Sequence, residues 1–98
     1  MSEILRIDHF NPHVGKIARF KGTPYAFPLE RVDHDDAEAP NGTTRKPFIL
    51  IFRGPRHTNV MPEGMYECEF EGGPTFSLYV IPIFTPMPDR QDYQSVFN

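Results

Sequence analysis

Met65-Tyr66-Glu67-Cys68-Glu69-Phe70-Glu71-Gly72-Gly73-Pro74-Thr75-Phe76-Ser77-Leu78-Tyr79-Val80-Ile81 decides the fold. Its first half alternates, with Tyr66, Cys68 and Phe70 toward one side and Glu67 and Glu69 toward the other. That two-residue period belongs to a half-buried strand and to no helix. Glu71-Gly72-Gly73-Pro74 is a hairpin signal, because glycine supplies the positive φ of a tight turn. Phe76, Leu78 and Val80 continue as the partner strand, and Tyr79, Ile81 and Ile83 face the other way.

The same period extends upstream. Pro47-Phe48-Ile49-Leu50-Ile51-Phe52 is apolar on both faces, which reads as a strand covered on two sides, and Arg53-Gly54-Pro55 follows it. Ile17 to Lys21 reads as a first strand with Gly22-Thr23-Pro24 as its turn. Tyr25, Phe27 and Leu29 alternate on a second strand that ends near Val32. Pro24 and Pro28 place that strand at an edge or a bulge, because proline gives no hydrogen to the ladder. Asp92 to Phe97 is a last strand, expected to close the barrel against an early one.

Before the first strand the period differs. Asp8 is placed to cap a helical turn over His9 to Val14, with Pro12 in its first turn and Gly15 ending it. Phe10 and Val14, at i and i+4, would both lie on the domain as a plug. Asp33 to Thr44 is acidic and rich in turn residues, and residues 33–44 are read as a flexible acidic loop.

Six short strands separated by glycine and proline turns indicate an all-β domain. The expectation is one small six-stranded antiparallel barrel, or a compact sandwich, over residues 1–98 with one short N-terminal helical turn. A barrel is favoured because closure removes the two edges of an open sheet. The chain of 98 residues carries nine Phe, four Tyr and no Trp, so its core is built from medium-sized rings. Eleven prolines scattered between apolar runs punctuate strand ends instead of forming a disordered tract.

Composition narrows function mainly by exclusion. The net charge of −3 with dispersed Lys and Arg lacks the basic stripe of a nucleic-acid binder. No apolar run reaches the ~20 residues that span a bilayer, and the longest uncharged stretch is broken at Pro74, Pro82, Pro86 and Pro88. The first residues show no basic region followed by an apolar one, so no signal peptide is expected. With a single cysteine no internal disulfide or cysteine zinc site can form, which fits a cytoplasmic setting.

No motif for catalysis stands out. Ser2, Ser77 and Ser95 lie in no nucleophile elbow, Cys68 falls on an inward position, and Gly72-Gly73 is a turn, not a phosphate loop. His9 and His13 stand at i and i+4, but a third ligand is unspecified and Pro12 intervenes. Asp33, Asp35, Asp36 and Glu38 lack the spacing of a calcium loop. No catalytic residue, metal site or cofactor is therefore assigned. A hydrolase assembled from distant carboxylates would need a pocket holding two of them close together.

Two sets of residues remain as binding candidates. Arg53, Arg56 and His57 flank the rigid Gly54-Pro55 turn and could grip a carboxylate or phosphate. The structural alternative has Arg53 pairing with Glu67 or Glu69 across the sheet. Tyr79, Ile81 and Ile83 point away from the core-facing Phe76, Leu78 and Val80, and one small core does not cover both sets. What stays exposed would meet a protein partner or a second copy of the chain.

Several phrases together resemble one family. They are Phe10-Asn11-Pro12-His13-Val14-Gly15, Pro47 to Pro55, Met61-Pro62-Glu63-Gly64-Met65-Tyr66, Phe76 to Pro82, and Tyr93-Gln94-Ser95-Val96-Phe97-Asn98. The chain is similar to bacterial proteins of roughly 100 residues and unknown function, with a P-F-x-L-x-F-R-G-P-like segment and an aromatic last strand. Members encoded near phage-tail-collar-like proteins would imply a structural or assembly-accessory role. The resemblance carries over no catalytic residue. The leading expectation is a non-enzymatic protein–protein interaction module, and the alternative is a small-ligand-binding barrel gripping an anion through the Arg53 turn.

Overall fold

The computed structural model describes residues 7–34, 47–55, 60–83 and 85–97. Two 3-10 turns, Ile7–His9 and Asn11–His13, precede six strands: β1 (Ile17–Phe20), β2 (Ala26–His34), β3 (Phe48–Pro55), β4 (Gly64–Phe70), β5 (Thr75–Pro82) and β6 (Arg90–Phe97). The strands form a closed barrel in the order β1-β2-β3-β6-β5-β4, antiparallel throughout. The chain thus makes two three-stranded meanders, β1-β2-β3 and β4-β5-β6, joined by the β3–β6 and β1–β4 ladders. Closure falls to β1 and β4. The expectation that the last strand pairs with an early one is corrected, since β6 lies between β3 and β5.

β4 and β5 follow the sequence reading. Cys68, Phe70, Leu78 and Val80 are buried, whereas Met65, Glu67, Ser77 and Tyr79 are exposed. On β3 the inward positions are Phe48, Leu50, Phe52 and Gly54, all buried. The strand therefore runs three residues past the apolar run, through Arg53, Gly54 and Pro55. A Cβ at Gly54 would stand 2.9 Å from Cε1 of Phe27 and 3.1 Å from the Gln91 carbonyl oxygen. Only glycine lets the Phe27 ring lie against the strand at that point, and this is the physical content of the R-G-P phrase.

The rings sort into two layers. At the end where β3 begins and β4 and β6 finish, Phe10 packs within 4.7 Å of Phe76, 5.4 Å of Phe97, 5.8 Å of Phe48 and 6.4 Å of Phe70, by ring centroids. At the opposite end Phe20, Phe27, Phe52, Tyr66 and Tyr93 form a second set, with Phe27 stacked on Tyr93 at 4.7 Å. Buried Ala18, Leu29, Leu50, Cys68, Leu78 and Val80 fill the space between. Each mouth has a plug from a connecting segment: Phe10 at one, fully buried Met61 at the other. The Met61 N–H donates to the Tyr93 hydroxyl at 3.1 Å, fixing the second plug to β6.

Several local expectations need correction. The N-terminal helical turn is two 3-10 turns; Asp8 lies inside the first, and the second starts at Phe10 with no side-chain cap. Pro12 occupies the first turn of that second segment, where no N–H is required. Val14 is exposed, because 3-10 geometry with three residues per turn does not align i with i+4. Phe10 plugs the barrel alone. Gly15 ends the segment at φ +91°, and its N–H donates to the Leu29 carbonyl at 2.7 Å.

β2 also runs further than its sequence suggested. Asp33 and His34 pair with Ile49 and Phe48, so the acidic segment begins inside a strand, and residues 35–46 lie outside the described residues. Pro28 is not at a sheet edge, since the closed barrel has none. The Leu29 N–H and C=O bond toward β1, so the missing donor of Pro28 points toward β3. There the β2–β3 register begins only at Leu29 and then shifts before Arg31. The bulge expected from proline is thus found beside Glu30. In the β4–β5 hairpin only Gly72 adopts positive φ, at +67°. Gly73 serves a different need: a Cβ there would meet the His13 ring at 3.1 Å.

Candidate functional site

With rings filling the interior, polar chemistry sits on the outer wall. At the bulge in β2, Glu30 faces Arg90 from β6, with Nη2 and Oε2 2.5 Å apart. Arg90 also holds Asp92 in a fork, Nε to Oδ1 at 2.8 Å and Nη2 to Oδ2 at 2.9 Å. Its side chain is only 12% exposed and that of Asp92 only 10%, so this cluster is largely shielded from water. The hydrogen bond from Arg90 holds the Glu30 carboxyl below the usual carboxylate range. A general acid needs the reverse shift. Two close carboxylates do occur here, but a guanidinium lies between them.

Arg53 belongs to the rim of the same cluster. Its Nη1 lies 3.6 Å from Oε1 of Glu30, and its side chain is half exposed on the outer wall. The expected partners Glu67 and Glu69 are corrected to Glu30, because β3 neighbours β2 and β6 and lies opposite β4 in the ring of strands. Arg31 extends the cluster to Asp33 at 3.0 Å. Among the described residues of this cluster three arginines meet three carboxylates, so their charges balance. Arg56 and His57 lie outside the described residues.

His9 and His13 sit on separate 3-10 turns and face different rings. His9 meets the edge of Phe76, and His13 stacks on Phe70 with centroids 5.0 Å apart. Burial, with Lys16 nearby, pushes the His13 imidazole below its ordinary value. Its Nδ1 is buried without a hydrogen-bond partner. Cys68 is fully buried in the middle layer, and burial pushes its thiol up to about 12, well out of the reactive range.

The outward residues of β5 occupy a different environment. Tyr79 is 45% exposed and stands across from Met65, which at 66% is the most exposed large apolar side chain among the described residues. Ile81 and Ile83 continue the row and are half-buried. The Tyr79 hydroxyl donates to Glu63, which raises its pKa, and Ser77 donates to Glu67 at 2.6 Å. Four carboxylates, Glu63, Glu67, Glu69 and Glu71, lie on or beside β4, and no Lys or Arg occurs from Thr58 to Asp89. The surface is therefore an apolar pair within an acidic border.

Beside it the barrel is least tightly zipped. β5 and β6 pair only at Ile81–Gln94 and Pro82–Tyr93 among the described residues, with one further bond from the Ile83 N–H to the Asp92 carbonyl. Continuing that register would set Tyr79 opposite Val96, yet the ladder stops short of them. Val96, 43% exposed, lies on β6 beyond the end of that ladder. Sequence alternation places both residues outward, but the extent of this ladder depends on strand order and is invisible in any local pattern.

Fold and surface together define a class: a closed antiparallel barrel with a ring-filled interior whose distinctive features lie on its outside. Residues 5–97 match the family described as Domain of unknown function (DUF6916), and the chain belongs to that family. No curated protein and no solved structure matched the chain. Among the described residues no helix is long and apolar enough to cross a membrane.

Proposed function

We propose that this barrel is a non-enzymatic protein–protein interaction module that serves a larger assembly, with a phage-tail-like accessory role as its setting. It docks a partner on the outer face of β4 and β5. The observation that carries this reading is the exposed Met65–Tyr79 cross-strand pair, continued by Ile81 and Ile83 and bordered by carboxylates. A flexible thioether beside a ring with a polar tip is the composition of an interface core. The acidic border calls for a partner that presents an apolar anchor inside a basic rim. It also repels nucleic acid and anionic lipid surfaces.

Less supports the ligand-binding alternative. Arg53 is tied to Glu30 on the outer wall, and the barrel mouths are plugged by Phe10 and Met61. Site-specific photo-crosslinking in the native cell tests the leading reading. A photoreactive residue at Met65 should trap a discrete protein adduct that the same residue at exposed Ala26, on β2, does not. Identical adducts from both positions, or none from Met65, would refute it.

A further inference from the structure

The β1–β4 side of the barrel carries a second surface, which shares the outer residues of β4, Glu67 and Glu69 among them, with the border of the Tyr79 face. From His9 to Leu29 the chain holds Lys16, Arg19 and Lys21 and no Asp or Glu. β1 is thus basic on its outer side, and its hydrogen-bonded neighbour β4 is acidic. Arg19 stands opposite Glu69 in the ladder, and the Lys21 N–H donates to the Glu67 carbonyl at 2.9 Å. Among the described residues no ion pair joins Arg19, Lys21, Glu69 or Glu71 to another group. These charges are paired in register but not in contact.

Between the two rows lies a shallow groove of about 280 Å3, lined by Ile17, Arg19, Glu69, Phe70, Glu71 and Gly72. Ile17 points outward there and is 39% exposed, an apolar side chain in an otherwise charged strip. A positive row beside a parallel negative row is self-complementary. A two-fold axis along the seam lays β1 of each copy over β4 of the other, so Arg19 meets Glu69 and Lys21 meets Glu67 twice over. The same operation brings each Ile17 above the groove of the opposite copy. Isologous contacts require this reciprocity.

We infer that the outer β1–β4 face is a self-association surface, on which a second copy of this chain docks by charge complementarity with Ile17 seated in the groove. Sedimentation velocity of the full chain tests it, from about 10 to about 500 μM and at about 20 and about 300 mM salt. The expected result is a concentration-dependent dimer that weakens at least tenfold at the higher salt. Arg19→Glu with Lys21→Glu in one protein, and Glu67→Lys with Glu69→Lys in another, should each dimerise about a hundredfold more weakly. Mixed in equal amounts, the two should associate again. Ile17→Ser, which changes no charge, should weaken that mixed dimer too.

A wild-type chain that stays monomeric throughout would overturn the inference. So would reversed variants that dimerise like wild type, a mixture that stays apart, or a mixed dimer indifferent to Ile17→Ser. Both surfaces use the outer face of β4, so the Met65 adducts are sorted by mass: an adduct of twice the chain's mass reports the second copy, and an adduct with any other protein reports the docked partner.

Discussion

Replacing Phe10 with alanine probes the architecture at the point where a loop completes a core. Phe10 is fully buried, and its ring lies within 6.4 Å of four others contributed by β3, β4, β5 and β6. Truncating a buried Phe to Ala costs about 3–5 kcal/mol through lost burial and the cavity left behind. Whole domains are stable by only about 5–15 kcal/mol, so this is a large share. Each kcal/mol shifts the melting temperature of a domain this size by about 4–8 °C, which places the expected drop at roughly 12–40 °C. Chemical denaturation followed by tyrosine fluorescence and far-ultraviolet dichroism gives the free energy, and calorimetry gives the melting shift. Phe10→Leu, which keeps most of the volume, should lose clearly less. If Phe10→Ala costs under about 1 kcal/mol, the 3-10 segment is a surface strap and the barrel end is closed by something else.

Three further outcomes follow from the same geometry. Gly54→Ala should destabilise by about 1–3 kcal/mol, because its Cβ would press on Phe27; Gly22→Ala, with no atom within 4 Å but φ +81°, should cost only backbone strain, so denaturation curves in which Gly22→Ala is the costlier would contradict the packing argument. His13 has a folded pKa below its ordinary value of 6.5, so the unfolded chain binds the extra proton first. Its contribution is therefore complete above that value and is lost as pH falls from there through the folded pKa; urea midpoints across that window should fall more for wild type than for His13→Gln, and equal slopes would refute the link. Cys68, with its thiol raised to about 12, should resist iodoacetamide at neutral pH in the native protein and react readily in denaturant, and equal labelling rates in the two states would show that it is not buried.

The alternation of Tyr66, Cys68 and Phe70 with Glu67 and Glu69 made the β4–β5 hairpin legible, because a two-residue period states which face is buried. Barrel closure was legible as well, since six short strands over one ring-rich core leave no good use for open edges. The closing pair was not. Which strands meet is decided by strand order around the ring, and β1 and β4 are about 50 residues apart with only local patterns of their own. Arg53 was noticed from its place beside Gly54-Pro55, but its partner Glu30 sits at a bulge that shifts the register by a residue, and no pattern within β3 reveals that. Arg90 and Asp92 were missed as a site although they alternate outward around inward Gln91 and Tyr93. Their fork was the available signal, and Glu30, 60 residues earlier, completes it. Val14 was misplaced because an i, i+4 argument assumes an α-helix where the chain makes 3-10 turns.

Both outer surfaces require a wall that closes, so that the rings turn inward and the charges and the Met65–Tyr79 pair turn out. The β1–β4 ladder carries that requirement. The Ile17 carbonyl accepts from Glu71 and the Glu67 carbonyl from Lys21, which makes Ala18–Phe70 and Phe20–Cys68 the pairs without mutual hydrogen bonds, whose Hα atoms approach closely. A nuclear Overhauser spectrum of the labelled protein should show strong Hα–Hα cross-peaks for both pairs, with slow amide exchange at Lys21 and Glu71. If those cross-peaks are missing while the ones within β4–β5 are present, the sheet is open and the outward face described here does not exist.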